Sequence, residues 1–236
     1  MLIIIKDFFT FLRFNGLKAS KSNNIFLWLI SGYVLLLSFK IFLITLKTTF
    51  TRLNLITSTD GAGSPEQWIA ETSIYTFALQ VAILAPILEE FAFRGILIQN
   101  KKIIKFSVIV ILYMLICTVT KTSIYTLSTE SVIILASCTF LTLLFENIIT
   151  SNVQEFTRNN LKWLVYFNSV LFALWHYGNF DFTKADILTT TFTLLPYFIS
   201  GLVFSWFAMR KGFEFGLLLH FMNNLVPVII AFINHK

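Results

Sequence analysis

The feature that most constrains this chain is a succession of apolar runs long enough to cross a lipid bilayer. Hydrophobic residues make up 56% of the 236 residues and charged residues only 13%, whereas soluble domains average about 45–50% and about 25%. A helix needs roughly 20 mostly apolar residues to span the hydrocarbon core, so the runs predict about seven spans, in a range of roughly six to eight. The predicted spans are 25–46, 73–98, 103–120, 132–150, 163–177, 187–209 and 213–233.

The predicted fold is therefore an all-α, polytopic transmembrane helical bundle, with residues 1–236 forming a single integral membrane domain. Apolar and charged side chains are interleaved over residues 1–21, and no small-residue cleavage site follows the first long apolar run. This pattern favours an interfacial helix over a cleaved signal peptide. The run at 163–177 is short for a full span, which predicts a tilted or broken helix.

Basic residues cluster before the first predicted span and in alternate connections between the later spans. The clusters are Lys101, Lys102 and Lys105, then Arg158 and Lys162, then Arg210 and Lys211. By the positive-inside rule, these connections and the N-terminus are predicted to be cytoplasmic, in a multi-pass protein of the cell membrane. The net charge of +6 comes from such short clusters, so membrane lipids rather than nucleic acid are the expected surroundings.

Charged side chains in the second predicted span suggest more than membrane anchoring. Each such group costs at least about 2.5–3.5 kcal/mol in a span, so it persists where it pairs or works. Glu90 and Arg94 are four residues apart on one helix face and are predicted to form a supporting ion pair. Glu89 is turned about 100° from that face, which leaves its carboxylate for another task. Pro86 removes a helical hydrogen bond just before it, which makes room for water.

Two further pairs of residues share a helix face in the later spans. Lys40 in the first span lies near a predicted membrane interface, so its ammonium is expected to extend to the membrane surface in a structural role. Phe172 and His176 are four apart, and so are His220 and Asn224, whose donors can converge on one anionic oxygen. Each feature alone has a structural interpretation as an ion pair, a histidine bound to a carbonyl or an asparagine between helices. All of them in one small membrane protein favour an enzymatic site.

Three motifs together resemble one family of membrane enzymes in both residue type and order. They are Glu89-Glu90-x-x-x-Arg94, Phe172-x-x-x-His176 and His220-x-x-x-Asn224. The chain resembles the CAAX protease and bacteriocin-processing family, also called Abi, of intramembrane glutamic-type endopeptidases, and in its compactness the bacterial branch. The resemblance covers residues 73–233 as the catalytic core. The interval before Phe172 is longer than the family pattern implies, through either an inserted hairpin of two spans or a run that is not transmembrane.

The resemblance implies hydrolysis of a peptide bond by a glutamate-activated water, without a cofactor or a metal. In our hypothesis Glu89 and His176 bind and deprotonate that water. His220 and Asn224 donate hydrogen bonds to the oxyanion that forms on the substrate. The substrate is a hydrophobic or lipidated peptide, in a role such as bacteriocin processing, signalling-peptide processing or self-immunity.

Supporting roles are assigned to four further residues. Glu90 and Arg94 are expected to hold the helix and the electric field around the catalytic carboxylate, and Phe172 and Trp175 are expected to shape an apolar substrate groove. Three alternatives stay open at this point. They are a zinc-dependent protease that uses the histidines and the glutamate as ligands, a non-catalytic immunity or scaffold protein, and a transporter.

The depth of the site follows from counting residues along the predicted helices. At about 1.5 Å per residue, Glu89 lies about 13 Å and His220 about 10 Å from the predicted cytoplasmic ends of their spans, whereas His176 lies about 20 Å deep. We therefore expect the catalytic cavity to open at the cytoplasmic end, with the segment of His176 tilted to reach it.

Overall fold

The computed structural model describes residues 2–14, 24–57, 59 and 65–234, and the regular elements of these residues are helices. The all-α fold class is confirmed. The α-helices are α1 Leu2–Leu12, α2 Ile25–Arg52, α3 Pro65–Glu71, α4 Ile74–Ala78, α5 Ala85–Phe93, α6 Lys101–Thr120, α7 Thr129–Leu144, α8 Glu146–Trp175, α9 Ile187–Lys211 and α10 Phe213–Asn234.

Five helical units of the described residues are long and apolar enough to cross a membrane. They are α2, α6, α9, α10 and the continuous unit Ile74–Phe93. Helices α7 and α8 pass the same test only as a pair bent by 84°, which gives up to six spans and agrees with the lower end of the predicted range. The fold is a polytopic helical bundle, as the sequence predicts.

The predicted spans at 132–150 and 163–177 are not two straight, separate helices. Helix α7 ends at Leu144, and α8 then runs as one helix from Glu146 to Trp175, with non-helical backbone angles at Asn160. The first half of α8 carries many polar side chains, so it is a poor candidate for crossing the hydrocarbon core. The apolar run therefore turns at Phe145 instead of continuing to residue 150.

The unit Ile74–Phe93 is not a uniform α-helix. A π-helical turn, Leu79–Leu84, joins α4 to α5, and the N–H of Ala85 donates to the carbonyl of Gln80, five residues back. Pro86 follows at once and has no N–H to donate. The expected distortion ahead of Pro86 therefore takes the form of a π turn, a feature frequent at functional sites.

One end of the bundle collects the basic clusters, and we call it the basic end. There Asp7 of α1 accepts hydrogen bonds from Trp206 Nε1 at 2.7 Å and from Arg210 Nε at 3.0 Å. The rings of Phe91 and Phe213 lie 4.7 Å apart and join the end of α5 to the start of α10. Helix α1 thus packs on this end of the bundle, while residues 15–21 of the predicted interfacial helix lie outside the described residues.

The opposite end, which we call the far end, carries the other helix termini. The backbone N–H of Thr57, just after α2, donates to Thr189 Oγ1 at the start of α9 over 3.0 Å. Tyr75 at the start of α4 contacts Phe232 near the end of α10, with ring centroids 6.2 Å apart. These contacts fix the direction of each helix between the two ends.

Close approach of α8 and α9 depends on Gly201, and its replacement is our first prediction. A Cβ atom at Gly201 would lie 3.0 Å from both Cα and Cβ of Ser169, which forces the two helices apart. We expect Gly201→Val to lower the free energy of unfolding by about 1–3 kcal/mol, measured by thermal unfolding in detergent.

The matched control is Gly178→Val, because no heavy atom lies within 4 Å of a Cβ at Gly178. This control should unfold close to the parent temperature. Equal stability of the two variants would show that the α8–α9 contact tolerates a side chain at Gly201.

Candidate active site

A buried cluster of charged and polar side chains joins α5 to α10. Glu90 and Arg94 have no exposed surface, His220 is 1% exposed and Glu89 is 4% exposed. Glu90 Oε1 lies 3.2 Å from Arg94 Nη1 and 2.9 Å from His220 Nδ1. The expected ion pair between Glu90 and Arg94 is present, and the same carboxylate oxygen also binds the histidine of α10.

Aromatic rings surround the guanidinium of Arg94. Its central carbon lies 4.0 Å from the ring centroid of Phe172, 5.4 Å from that of Phe204 and 5.8 Å from that of Phe93. Ring faces attract cations, and more so when water is excluded. Phe172, which the sequence suggests for a substrate groove, is 1% exposed and lies against this cation in the core.

Glu89 points away from that ion pair, as its place on the helix predicts. Its Oε2 lies 3.6 Å from His220 Nε2, and its Oε1 accepts a hydrogen bond from the hydroxyl of Tyr125 at 3.3 Å. The two ring nitrogens of His220 therefore face the two glutamates. His220 and Asn224 lie on one face of α10, but the ring nitrogens of His220 contact the glutamates and do not point, with Asn224, to one small site for an oxyanion.

Tyr125 is a candidate site residue that none of the sequence motifs includes. It lies in the connection between α6 and α7, and its hydroxyl also accepts a hydrogen bond from Trp175 Nε1 at 3.4 Å. Burial raises the pKa of Tyr125, so the hydroxyl stays protonated and donates a hydrogen bond to Oε1 of Glu89. The only signal in the sequence is an aromatic residue in a short polar connection, which by itself indicates nothing about Glu89.

His176 begins a short 3₁₀ turn at the end of α8, and its ring is fixed on two sides. Its Nδ1 lies 2.8 Å from the carbonyl oxygen of Phe172, and its ring stacks on Tyr197 with centroids 4.1 Å apart. A carbonyl only accepts hydrogen bonds, so Nδ1 carries the proton in this contact. In the neutral imidazole, Nε2 is then free to accept a hydrogen bond from a water or a substrate.

A cavity of about 350 Å³ brings the predicted site residues together. Glu89, His176, Asn224 and Trp175 all line it, whereas His220 lies behind Glu89. The other lining residues come from several helices and connections: Trp68, Gln80, Val81, Ala85, Tyr125, Asn179, Tyr197 and Pro227.

The position of these residues along their helices gives the direction of the cavity. From Glu89 it follows the helical unit back toward the start of α4, and from Asn224 it follows α10 toward Pro227. Trp68 and Asn179 belong to connections at the far end. The expectation that the cavity opens at the basic end is therefore wrong. A depth count along one helix gives a height in the bilayer and does not tell which way a cavity opens.

These features define a class of protein, a multi-pass helical membrane protein with an acid, an imidazole and an amide at an internal cavity. The family model described as type II CAAX prenyl endopeptidase Rce1-like matches residues 71–226, about two thirds of the chain. The chain belongs to this Rce1-like family, and the resemblance carried by the three motifs is confirmed. The matched range includes every predicted site residue. Comparisons with curated proteins and with solved structures each found no match.

The buried ion pair generates our second prediction. Glu90→Gln leaves Arg94 as an uncompensated buried charge and weakens the contact to His220. We expect it to lower the free energy of unfolding by about 3–5 kcal/mol, measured by unfolding in detergent. The double variant Glu90→Gln, Arg94→Gln should recover part of this loss, because no unpaired charge is left.

The control is the ion pair of Lys105 and Glu146, whose side chains are 22% and 42% exposed. Glu146→Gln should cost less than about 1 kcal/mol, since water screens such a pair. If the two substitutions in the buried pair prove simply additive, Glu90 and Arg94 do not depend on each other for stability.

Proposed function

We propose that this protein is an intramembrane endopeptidase that hydrolyses a hydrophobic or membrane-associated peptide with a water activated by Glu89. The observation that carries the proposal is the position of Glu89. Its carboxylate lies at the inner end of a cavity that His176 and Asn224 also line. Membership of an endopeptidase family supports the same reaction class.

The first step of the proposed reaction is the binding of a water between Glu89 and His176. The free Nε2 of His176 accepts one hydrogen bond from this water, and Glu89 takes its proton as the water attacks the peptide carbonyl. Tyr125 orients Oε1 of Glu89 on the cavity side, and a second lone pair of this oxygen meets the water, while Oε2 is buried against His220. The protonated Glu89 then delivers the proton to the leaving amine.

Stabilisation of the oxyanion falls to Asn224 in this proposal. Its side-chain amide lies in the cavity wall and donates hydrogen bonds, and a donor aimed at a developing oxyanion typically contributes about 3–4 kcal/mol. His220 keeps both glutamates in place from behind, a role in which it orients the base. No metal or cofactor takes part.

The substrate that we propose is a peptide with an apolar flank. Aromatic and apolar side chains, including Trp68, Trp175, Tyr197 and Pro227, line the cavity together with the polar groups. Precursors of bacteriocins or of signalling peptides fit this description. Lipidated peptides fit it as well, in accord with a family described as CAAX prenyl endopeptidases. Self-immunity against a bacteriocin is an alternative role for the same site.

Our third prediction concerns the catalytic carboxylate. Glu89→Gln keeps the shape of the side chain and removes the base, so purified protein should remain folded and lose at least about 10²-fold in peptide cleavage. The measurement is cleavage of candidate hydrophobic peptides in detergent or lipid, with monodispersity and thermal unfolding recorded for each preparation.

The control is Glu146→Gln, the same substitution at a glutamate that lies at the basic end and does not line the cavity. Undiminished cleavage by Glu89→Gln would remove this residue from the mechanism.

Chelation tests the alternative of a zinc-dependent protease in the same assay. Cleavage that is lost on exhaustive chelation and restored by zinc would replace the glutamate mechanism by a metal-dependent one.

We further propose that the protein lies in the cell membrane with its N-terminus and basic end in the cytoplasm, as the positive-inside rule predicts. The cavity then opens on the outer side, where a peptide reaches it from outside the cell or laterally from the outer leaflet. This orientation is independent of the catalytic proposal and has its own test.

The fourth prediction uses single cysteines in a protein that lacks the buried Cys117 and Cys138. A membrane-impermeant thiol reagent applied to intact cells should label Asn179→Cys at the far end. It should leave Lys102→Cys at the basic end unlabelled until the cells are opened. Labelling of Lys102→Cys alone in intact cells would reverse the orientation and place the cavity mouth in the cytoplasm.

A further inference from the structure

A chain of hydrogen bonds runs from the first span to the wall of the catalytic cavity. Lys40 Nζ of α2 donates to Asn223 Oδ1 at 2.6 Å, and Asn223 Nδ2 donates to Asn224 Oδ1 at 2.8 Å. Asn224 Nδ2 then donates to the carbonyl oxygen of Val81 at 3.0 Å. Lys40 thus points into the bundle, toward α10, instead of extending to the membrane surface as the sequence suggests.

The two ends of this chain dictate the direction of every amide in it. A lysine ammonium only donates hydrogen bonds and a backbone carbonyl only accepts them. Asn223 must therefore turn its oxygen to Lys40 and its NH₂ group to Asn224. Asn224 in turn directs its oxygen to Asn223 and its NH₂ group to Val81. Neither amide can be reversed without setting donor against donor or acceptor against acceptor.

The carbonyl of Val81 is available because of the π turn. The N–H of Ala85 bonds to Gln80, and the next residue, Pro86, has no N–H. Val81 therefore lacks the helical donor that its carbonyl would otherwise have. The Asn224 amide takes that place and is held against the helix that carries Glu89.

The direction of the chain matters for the reaction because an NH₂ group has two hydrogens. One hydrogen of Asn224 is directed to Val81, and the other remains for the cavity, which Asn224 and Val81 both line. Hydrogen bonds that point the same way polarise one another. The positive charge of Lys40 lies at the donor end of this chain and makes the last N–H a stronger donor.

We propose that Lys40 is a positioning residue that acts through Asn223 to orient and polarise the Asn224 amide toward the reacting carbonyl. This inference rests on the proposed peptidase function. Lys40 itself does not touch the substrate. Its effect is on the turnover step, where negative charge develops on the substrate oxygen, and much less on substrate binding.

The test, our fifth prediction, compares kcat and KM for substitutions at Lys40. Lys40→Met keeps the length of the side chain and removes the donor. It should lower kcat about tenfold with KM nearly unchanged, less than the 10²–10³ typical for removal of an oxyanion donor itself. Lys40→Arg, which is also a donor only, should restore most of kcat.

The matched control is Lys47→Met, two helical turns along the same helix, where Nζ binds Thr59 Oγ1 at 2.8 Å. It should leave kcat unchanged. Asn223→Asp adds a sharper contrast, since aspartate still accepts from Lys40 and cannot donate to Asn224. A stable Asn223→Asp protein with reduced kcat is expected, whereas full turnover in this variant and in Lys40→Met would overturn the proposal.

A second readout does not depend on catalysis. In protein with isotope-labelled asparagine, the side-chain NH₂ resonances of Asn224 should move on Lys40→Met and stay in place on Lys47→Met. Resonances unmoved by Lys40→Met would overturn the proposed chain even if cleavage is intact. Absence of cleavage in the parent protein, with the resonances shifted as expected, would instead count against the peptidase function alone.

Discussion

The rest of the site depends on the contacts that the carboxylate of Glu90 makes with Arg94 and His220. This carboxylate has no exposed surface, and one of its oxygens binds both Arg94 and His220. A buried charge without partners would destabilise the bundle severely, so these groups must stay together once water has left. Because Arg94 belongs to the end of α5 and His220 to α10, the same contact fixes two helices relative to each other. Because Glu89 is the adjacent residue of the same helix, its position is fixed as well.

Local spacing along the sequence was sufficient to predict the ion pair and the orientation of Glu89. Residues four apart share a helix face whatever surrounds them, so Glu90 and Arg94 could be paired without knowledge of the fold. The order of the motifs was enough to indicate the family. The contact of Tyr125 with Glu89 joins positions 36 residues apart, and that of Lys40 with Asn223 joins positions 183 apart. Such contacts depend on how the helices assemble, and no local pattern carries that information.

Hydropathy predicted where the apolar runs lie, but not where the helices within them end or bend. The run that was expected to continue to residue 150 turns at Phe145, because polar residues follow there and the chain bends by 84°. Helix α8 then approaches the site from the basic end and stops at Trp175, so that His176 lies beside the cavity. The short predicted span at 163–177 is thus the second half of a longer, bent helix, which accounts for its length.

The π turn also sets the rotational phase of the catalytic helix. Gln80 and Glu89 both line the cavity although they are nine residues apart. In an uninterrupted α-helix that separation corresponds to a rotation of about 180°, which would place the two side chains on opposite faces. A π turn holds one extra residue and brings this rotation down to about 80°. Gln80 can then bind the backbone of Tyr125 at 3.3 Å while the hydroxyl of Tyr125 reaches Glu89. A regular α-helix over residues 79–84 would still be long enough to cross the membrane, but it would turn the two halves of the span out of phase, with the acid on one side and its support on another.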